Sequence, residues 1–408
     1  MRAASSPSYK TLNKKLKVHV AGPWVAAIAA VACAVAPGDA YSDVLDVRWR
    51  TQLSHEPTTL KPREPAEPLL TADGKVAYIG TSTGLAAIAV ATGAVLWSHK
   101  TREAIVGRPV LADLPTEGTA ASWGPTLYAA TLGGALLAVH PTTGVLRIEN
   151  SPNLDVLVHS PLAADSRYVF AFADPSVLLA IDRGSGKPVW RWSAAVDRDY
   201  VIEGNAGPLV YGHNLYFGTP TGKLIALSVR DGGLAWDTSL ELPARSPYGD
   251  VDSTPLMIAS RQGPLLVATS HSGGMCAVAP ADGRIVWRYT ADGLGQPVAT
   301  SMGIAAVSSL GELHLVGLDG QRRLARKLIG PMAGALAVCA GGLLLAPHET
   351  GMDLIRMTDL RTVSRLATEH GFGAAPACSG ENVVALTNSG TVVGMIVHAE
   401  AGALADPR

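Results

Sequence analysis

The chain of 408 residues has few charges and scarcely any segment with the apolar period of a helix. Charged residues make up 16% of the sequence, and the formal net charge is −1. A basic field of the kind that concentrates a protein on nucleic acid is therefore missing, and we expect no nucleic-acid partner. Without helical segments there is also no Gly-rich phosphate loop that opens a helix.

Motifs for metal binding are missing as well. The 11 histidines are scattered, and the sequence contains neither H-E-x-x-H nor C-x-x-C. The G-x-S-x-G pattern of a hydrolase nucleophile occurs at Gly80–Gly84, but that nucleophile requires a strand-to-helix turn. Here the pattern lies between two apolar strands, and Gly218–Gly222 occupies the matching place in a later repeat, so a hairpin turn explains both. We therefore predict no catalytic residue, no cofactor and no metal site.

No acidic residue precedes Asp39, and the N-terminal segment differs in composition from the rest of the chain. Five basic residues are followed by an apolar run over 20–36 and then by small residues, which is the layout of a secretory signal. The run is shorter than the ~20 residues that cross a bilayer, and it contains Gly22 and Pro23. We interpret residues 1–40 as an export signal and 41–408 as one domain, with a permanent membrane anchor as the alternative.

Two cleavage sites stay open within that signal. Ala30-Val31-Ala32-Cys33 resembles a bacterial lipobox, which would leave Cys33 as a lipidated first residue, although the usual Leu three positions before the Cys is missing. Residues 38–40, Gly-Asp-Ala, form an ordinary small-x-small site, and cleavage there would remove Cys33 with the signal.

The chain has only four cysteines, and three of them follow the signal. Cys339 and Cys378 each end a short apolar segment before a Gly-containing turn, so they occupy matching places in successive repeats. Two interpretations remain, which are a disulfide between neighbouring repeats and two separate buried thiols. Cys276 is left over in either case and makes the number of cysteines odd for an oxidising compartment.

What the chain does contain is an internal repeat, in which an Ala-aliphatic pair leads to a Gly-containing turn and a Trp, or Ile148 in the second unit, follows that Gly by four residues. The leading alanines are 51, 42, 46 and 51 residues apart, at Ala87, Ala138, Ala180, Ala226 and Ala277. That spacing matches one four-stranded blade of a β-propeller per unit. The 43 glycines and 27 prolines agree with many short strands joined by tight turns.

The tryptophans of the repeat are expected on the outermost strand of each blade, where an indole can bury ~150 to 250 Å² against the neighbouring blade. Two degenerate units, 304–328 and 336–366, lack the Trp, and the last unit, 383–397, lacks an outer strand. Residues 44–53 around Trp49 look like the other Trp strands, so we expect them to complete the last blade and remove the free sheet edge. The prediction is an all-β, eight-bladed β-propeller with four-stranded antiparallel blades; seven blades is the alternative.

The Ala-x-Asp-x-x-Thr-Gly-x-x-x-Trp pattern resembles the PQQ-like propeller repeat over nearly all of the mature chain. That family divides into quinoprotein dehydrogenases, which carry a vicinal Cys-Cys pair and a calcium site, and non-catalytic scaffolds. No two cysteines are adjacent here, and the chain is much shorter than those dehydrogenases, so the resemblance favours a scaffold. In size, export signal and number of blades the chain is similar to the BamB family of outer-membrane protein assembly lipoproteins.

One stretch carries a more specific likeness. Residues 250–255, Asp-Val-Asp-Ser-Thr-Pro, resemble the Asp-Val-Asp-x-Thr-Pro stretch of the BamB family. By that resemblance Asp250 and Asp252 would help to hold a POTRA domain of the barrel-insertion protein. Paired exposed carboxylates can take an Arg fork. The alternative, which does not exclude the first, is that both residues cap the turn by accepting bonds from backbone N–H groups.

A second stretch, one blade earlier, resembles the apolar-x-apolar-Arg-Gly segment that contributes to the same surface in the BamB family. Tyr200, Ile202 and Gly204 keep its apolar positions and its glycine, but Glu203 stands where the family has Arg. That substitution reverses the charge and alters how a partner would dock.

The resemblance implies a non-catalytic periplasmic scaffold that binds a protein partner of the β-barrel assembly machinery, with a lipid on Cys33 as its tether to the outer membrane. Two other functions stay open. One is the binding of a small molecule or polysaccharide in the central funnel of the propeller, and the other is a degenerate quinoprotein dehydrogenase.

Overall fold

The computed structural model describes residues 44–54, 66–113, 124–148, 153–174, 176–194, 206–242, 249–328, 332 and 334–398. These residues form 31 strands and one 3-10 helix, Ala340–Gly342. Within those ranges no helix has the length and apolar character needed to cross a membrane. The strands form eight separate antiparallel sheets, so the eight-bladed prediction is confirmed and the seven-bladed alternative is wrong.

Each blade runs from an innermost strand A to an outermost strand D. The first four blades consist of β2 (Leu69–Leu70), β3 (Val76–Thr81), β4 (Gly84–Ala89) and β5 (Val95–Lys100); β6 (Val110–Ala112), β7 (Thr126–Ala130) and β8 (Leu136–Val139); β9 (Ala163–Ala164), β10 (Tyr168–Ala173), β11 (Val177–Asp182) and β12 (Pro188–Ser193); and β13 (Leu209–Tyr211), β14 (Asn214–Gly218), β15 (Lys223–Ser228) and β16 (Leu234–Ser239).

The remaining blades follow the same order. They consist of β17 (Leu256–Ser260), β18 (Gly263–Ser270), β19 (Gly274–Val278) and β20 (Ile285–Tyr289); β21 (Val298–Thr300), β22 (Gly303–Val307), β23 (Glu312–Val316) and β24 (Arg322–Lys327); β25 (Ala337–Cys339), β26 (Leu343–His348), β27 (Gly351–Arg356) and β28 (Thr362–Ala367); and β29 (Ala377–Ser379), β30 (Asn382–Leu386) and β31 (Thr391–Val397) with β1 (Leu45–Gln52).

The strand β1 closes the ring. It pairs antiparallel with β31, opposing Trp49 to Gly394 and Gln52 to Thr391, and it forms the D strand of blade 8. The predicted seam is therefore confirmed. Because β31 is covered by β1, the last blade presents the same kind of outer edge as its neighbours rather than an unfinished one.

Blade 2 has a gap in its described residues at 149–152. Its described residues form three strands, and isolated bridges join Val139 to Leu146 and Ala135 to Asn153, on either side of that gap. The repeat of blade 2 has Ile148 at the position that a Trp occupies in blades 1, 3, 4 and 5. This blade therefore lacks the indole of the repeat.

The apolar core is divided between the blades. Every residue of β7 and β19 is buried, whereas β5 alternates between half-buried and exposed residues. A middle strand lies between two neighbouring blades and packs on both faces, which explains its continuous apolar sequence. The buried residues accordingly form eight clusters, one at each interface between adjacent blades.

Five of these interfaces share a Trp–Gly seal, in which the indole of one blade packs on the turn glycine of the next and donates its N–H to a carbonyl there. The glycines have φ between 69° and 78°, and a Cβ on any of them would lie 2.6 to 2.8 Å from the indole. The pairs and their acceptors are Trp49 with Gly93 (Val90 O, 2.6 Å), Trp97 with Gly144 (Pro141 O, 2.8 Å), Trp190 with Gly232 (Val229 O, 3.1 Å), Trp236 with Gly283 (Pro280 O, 3.0 Å) and Trp287 with Gly320 (Leu318 O, 2.9 Å). The predicted docking of indoles between blades is thus confirmed.

The interface between blades 2 and 3 uses a buried cation in place of the indole. Arg183 is 1% exposed and lies over the ring of Tyr128, with its guanidinium carbon 5.6 Å from the ring centre. Its guanidinium donates to the backbone carbonyls of Asp165 at 2.8 Å, Ser166 at 3.2 Å and Asp113 at 2.5 Å. The bond to Asp113 ties the C–D turn of blade 3 to blade 2, and the other two bonds stay within blade 3.

Between blades 6 and 7 both members of the seal are replaced together. Leu324 occupies the place of the Trp, and Leu360, with φ 57°, occupies the place of the glycine. Both belong to the apolar cluster of that interface, and Leu360 is 1% exposed. Because no indole covers this turn, a leucine side chain can fill the space.

Candidate functional site

The innermost strand of seven blades follows a proline at the blade spacing, and blade 7 has Leu336 there. A proline suits the start of an inner edge strand because it has no N–H to pair, and it holds the preceding residue in an extended conformation. The prolines are Pro68, Pro109, Pro161, Pro208, Pro255, Pro297 and Pro376. We call the residues before these eight positions the axial ring, which consists of Glu67, Arg108, Ser160, Gly207, Thr254, Gln296, Ala335 and Ala375.

Six members of the axial ring line a cavity of about 590 Å³. All eight blades contribute to its wall, so the cavity lies on the propeller axis, and we call it the funnel. Ser308 and Ser309, in the hairpin between β22 and β23, place its mouth at the end of the propeller that carries the B–C turns. The volume falls within the range of pockets that hold small ligands.

The charged side of the funnel belongs to blades 1 to 3. The Glu67 carboxylate and the Arg108 guanidinium form an ion pair at 3.8 Å. Burial raises the pKa of Glu67, and the positive charge of Arg108 opposes that shift. His159 also lines the funnel, and its Nε2 lies 3.1 Å from Oδ2 of Asp174.

Hydrogen bonds join the lead-in segments of blades 4, 5 and 6. The Gly207 N–H donates to Thr254 Oγ1 at 2.7 Å, and the Thr254 N–H donates to Gln296 Oε1 at 2.8 Å. The Gln296 amide returns a bond to the Thr254 carbonyl at 2.9 Å. This side of the funnel is therefore polar and tied together, whereas blades 7 and 8 contribute Ala335, Ala375 and other small or apolar residues.

The structure corrects the expectation of an exposed pair at Asp250 and Asp252. Asp250 is 1% exposed because its segment is held between two B–C turns: Val251 N–H donates to Thr219 O at 3.1 Å, and His271 N–H donates to Asp250 O at 2.9 Å. Only Asp252 faces the funnel, where it accepts a bond from the backbone N–H of Ala206. The two carboxyls therefore lie in different environments.

The position of Asp252 changes its acid–base behaviour. Burial, and then the charge of Asp250, raise the pKa of Asp252 to about 7, against the opposing effect of the Ala206 N–H. Near neutral pH the side chain is thus divided between a neutral acid, which can donate a hydrogen bond, and a carboxylate, which attracts a cation.

The other predicted contact residues, Tyr200, Ile202 and Glu203, lie outside the described residues, as does the predicted lipidation site Cys33. Their roles stay predictions. Ser82, in the G-x-S-x-G pattern, lies in the hairpin between β3 and β4, as a turn requires.

Two of the cysteines are joined in the structure. Cys339 and Cys378 form a disulfide with their Cα atoms 5.4 Å apart. It links the A strands of blades 7 and 8. Because strand D of blade 8 is β1, no C–D turn connects strands C and D of that blade, and blade 7 has no such turn on which a Trp could pack. Cys276 is buried and free, and burial raises the pKa of its thiol to about 11, so the thiol stays protonated.

The part of the chain that the structure describes contains no group of three or more His, Cys, Asp and Glu side chains placed to hold a metal ion. What sequence reasoning missed was the axial ring, and with it Glu67, Arg108 and His159. A signal was available, since a proline followed by an apolar strand recurs at the blade spacing.

Comparisons with known proteins give the family. A family model described as outer membrane protein assembly factor BamB matches residues 110–325, which is more than half of the chain. The assembly factor BamB of Alteromonas naphthalenivorans is 28% identical over 166 residues, which cover 40% of this chain and 38% of that protein. A quinone-dependent alcohol dehydrogenase subunit of Gluconacetobacter polyoxogenes is 27% identical over 145 residues, or 32% of this chain and 19% of that protein. Both alignments thus span well under half of the relative's length.

The fold has matches among solved structures. The crystal structure of BamB from Moraxella catarrhalis superposes with a TM-score of 0.70 and 16% identity, covering 86% of this chain and all of that one. At that identity the likeness concerns the fold. The family is given by the sequence match over 110–325, and we conclude that this chain belongs to the family of outer membrane protein assembly factor BamB, as a PQQ-like propeller.

Proposed function

We propose that the chain is a non-catalytic, exported scaffold that assists the assembly of outer-membrane β-barrel proteins by binding a POTRA-type partner at the funnel mouth. The family membership carries this proposal. The geometry supports it because the predicted contact residue Asp252 lines the funnel, beside the Gly207–Thr254 bond that joins the lead-in segments of blades 4 and 5.

In the proposed contact Asp252 lies at the funnel side of the docking surface, and Tyr200, Ile202 and Glu203 stay predicted contact residues. Asp252 and Glu203 are both acidic, so the partner would supply a cationic side chain, and Arg is the best suited because its fork matches a carboxylate. Asp250 would act indirectly in this arrangement, by fixing the segment that carries Asp252.

The test is a pull-down of the tagged protein from a mild-detergent extract of the envelope. We expect a component of the barrel-assembly machinery with the wild type and at least tenfold less of it with Asp252→Asn. Asp237→Asn is the matched control, because it removes a carboxylate from the outer strand of blade 4, where it pairs with Lys223. Equal recovery with both variants would reject the contact, and recovery of no assembly component with the wild type would reject the function.

We also propose that the protein works in the periplasm, tethered to the outer membrane through Cys33. The Cys339–Cys378 disulfide supports export, because disulfides persist in oxidising compartments. Labelling with a radioactive fatty acid should mark the wild type and leave Cys33→Ala unlabelled. Label on neither protein would reject the lipid anchor and leave export itself to be judged by cell fractionation.

A second candidate function is the binding of a small ligand in the funnel, which the cavity of about 590 Å³ and its charged side favour. The dehydrogenase relatives make a quinone the first ligand to test. Addition of pyrroloquinoline quinone with calcium should leave the melting temperature unchanged and reduce no dye if the protein is only a scaffold. A rise in melting temperature would favour ligand binding, and dye reduction would favour an enzyme.

A further inference from the structure

The outer strand of blade 6 differs in charge from the other outer strands. The strand β24 reads Arg-Arg-Leu-Ala-Arg-Lys, so four of its six residues are cations. The D strands β5, β12, β16, β20 and β28 carry at most one Lys or Arg each, and β1 carries two. Lys and Arg often protect a sheet edge from unwanted pairing. Since the other edges do without such a run, edge protection does not account for it.

Exposed leucines flank this basic strand at both ends. Leu318, in the C–D turn before β24, is 43% exposed, and Leu310, in the B–C turn, is 73% exposed. The Lys327 ammonium contacts the carbonyl of Leu310, which places that turn at the far end of the strand. We call this surface the blade-6 rim and define it as Leu310, Leu318, Arg322, Arg323, Arg326 and Lys327.

Acidic residues neutralise only part of the rim. Asp319 pairs with Arg323 at 2.7 Å, and Glu312 lies opposite Lys327 in the sheet. The four cations and these two acids leave a net charge of +2. Arg326 is exposed, and no carboxylate of the described chain forms an ion pair with it.

We propose that the blade-6 rim docks on an anionic membrane surface. Phosphate head groups would contact the cations while Leu310 and Leu318 enter the boundary of the acyl chains, the two contributions that bind amphipathic surfaces to bilayers. Six strand residues span about 20 Å, so the strand can lie along the bilayer surface with a leucine at either end. This goes beyond the proposed function, because the cations of the rim lie on the outermost strand of blade 6, whereas the funnel mouth is on the axis and meets the rim only through the B–C turn that carries Leu310.

An acidic protein segment is the competing occupant of the rim. A segment paired along β24 would satisfy its cations and its unpaired backbone groups, as in strand addition. It would leave the two leucines exposed, however, whereas a bilayer accommodates both the cations and the leucines. The leucines therefore favour the membrane.

The test is flotation of the full chain with vesicles, with Cys33→Ser in every arm so that no acyl chain contributes. The probes are vesicles of phosphatidylcholine with and without 30% phosphatidylglycerol, a composition chosen for the experiment. The rim variant is R323Q/R326Q/K327Q. The matched control is K75Q/K187Q/R230Q, which removes three exposed cations from turns of blades 1, 3 and 4. Arg322 is retained because it interacts with Tyr289.

We expect binding to the anionic vesicles only, with an affinity that falls roughly 100-fold in the rim variant at low salt and about twofold in the control. Leu310→Ser with Leu318→Ser should lower the affinity further at high salt, where the charges are screened. Equal binding to both vesicles, or equal loss in the rim and control variants, would overturn the proposal. Retention of soluble polyglutamate without vesicle binding would overturn it in favour of an acidic protein partner.

Discussion

The five interfaces with a Trp–Gly seal and the three without one have the same architecture but different chemistry. In the first group an uncharged indole covers a glycine turn, and one backbone carbonyl satisfies its N–H. In the second group a buried arginine, a pair of leucines and a disulfide each occupy one interface. Strand pairing within a blade sets the geometry of the ring, and the contact between blades can then be made in several ways. Loss of a repeat's signature residue therefore does not imply loss of the blade.

Removal of the disulfide should lower the free energy of unfolding more than any other change proposed here, because the disulfide is the covalent contact of the second group. The Cys339→Ser/Cys378→Ser variant opens a link between residues 39 positions apart, and a closed loop of that length contributes about 4 kcal/mol to the free energy of unfolding. Urea denaturation followed by Trp fluorescence measures the change. Reduced wild type should unfold at the same urea concentration as the variant, and an unchanged midpoint in the variant would show that the link contributes nothing.

A glycine substitution tests the first group. Gly283→Ala should lower the free energy of unfolding by about 2 to 4 kcal/mol, because its Cβ would meet the Trp236 ring at 2.6 Å in addition to the cost of a positive φ. Gly212→Ala is the matched control, since Gly212 has φ 62° and no atom within 4 Å of its Cβ. We expect Gly212→Ala to lower the free energy of unfolding by about 1 kcal/mol. Equal losses of unfolding free energy in both variants would mean that the contact between the glycine and the indole can accommodate a methyl group.

The buried arginine is expected to have an intermediate effect. Arg183→Met keeps the volume but leaves the carbonyls of Asp113 and Asp165 without their guanidinium donor, which should cost about 2 kcal/mol of unfolding free energy. Arg191→Met, on the exposed face of β12, should change it by less than about 0.5 kcal/mol. A loss as small as that of Arg191→Met would mean that Tyr128 and its neighbours hold blades 2 and 3 together without the Arg183 guanidinium.

The smallest effect concerns pH, to which the uncharged seals should not respond. The pKa of Asp252 is raised from 3.8 to about 7, so the folded protein binds more protons than the unfolded chain between those two values. Its contribution to stability is therefore present at low pH and is lost as pH rises from about 4 to 7. The free energy of unfolding should fall by at most about 1.4 kcal/mol for each pH unit in that range, because the folded state holds no more than one extra proton. Asp252→Asn should flatten the pH profile of the denaturation midpoint, and Asp237→Asn should leave it as in wild type.

The ring itself was predictable because its signals are local. A glycine turn and a Trp four residues later specify a hairpin and a docking contact within one repeat, and the same pattern at Trp49 identified the strand that closes the ring. The fold of the degenerate units was predictable from their apolar strands alone, since strand pairing does not require the indole.

The substitutes at the other interfaces could not be predicted in the same way. Arg183 reads as an ordinary turn residue, and its partners Asp113 and Tyr128 are more than 50 positions away. Likewise, Asp250 and Asp252 are two positions apart, and only the turns of two blades that enclose Asp250 make their environments differ. In both cases the deciding contacts come from other blades, which the local sequence does not contain.

The shared blade has a consequence for the order of folding. Among the described strands, β1 is the first to emerge from the ribosome, yet its partner β31 is the last. The first strand must therefore remain unpaired until almost the whole polypeptide is present, and a closure over such a long loop is slow. Until then both chain ends expose backbone groups to neighbouring polypeptides, so the waiting period, rather than the finished ring, is when this protein is most exposed to misassembly.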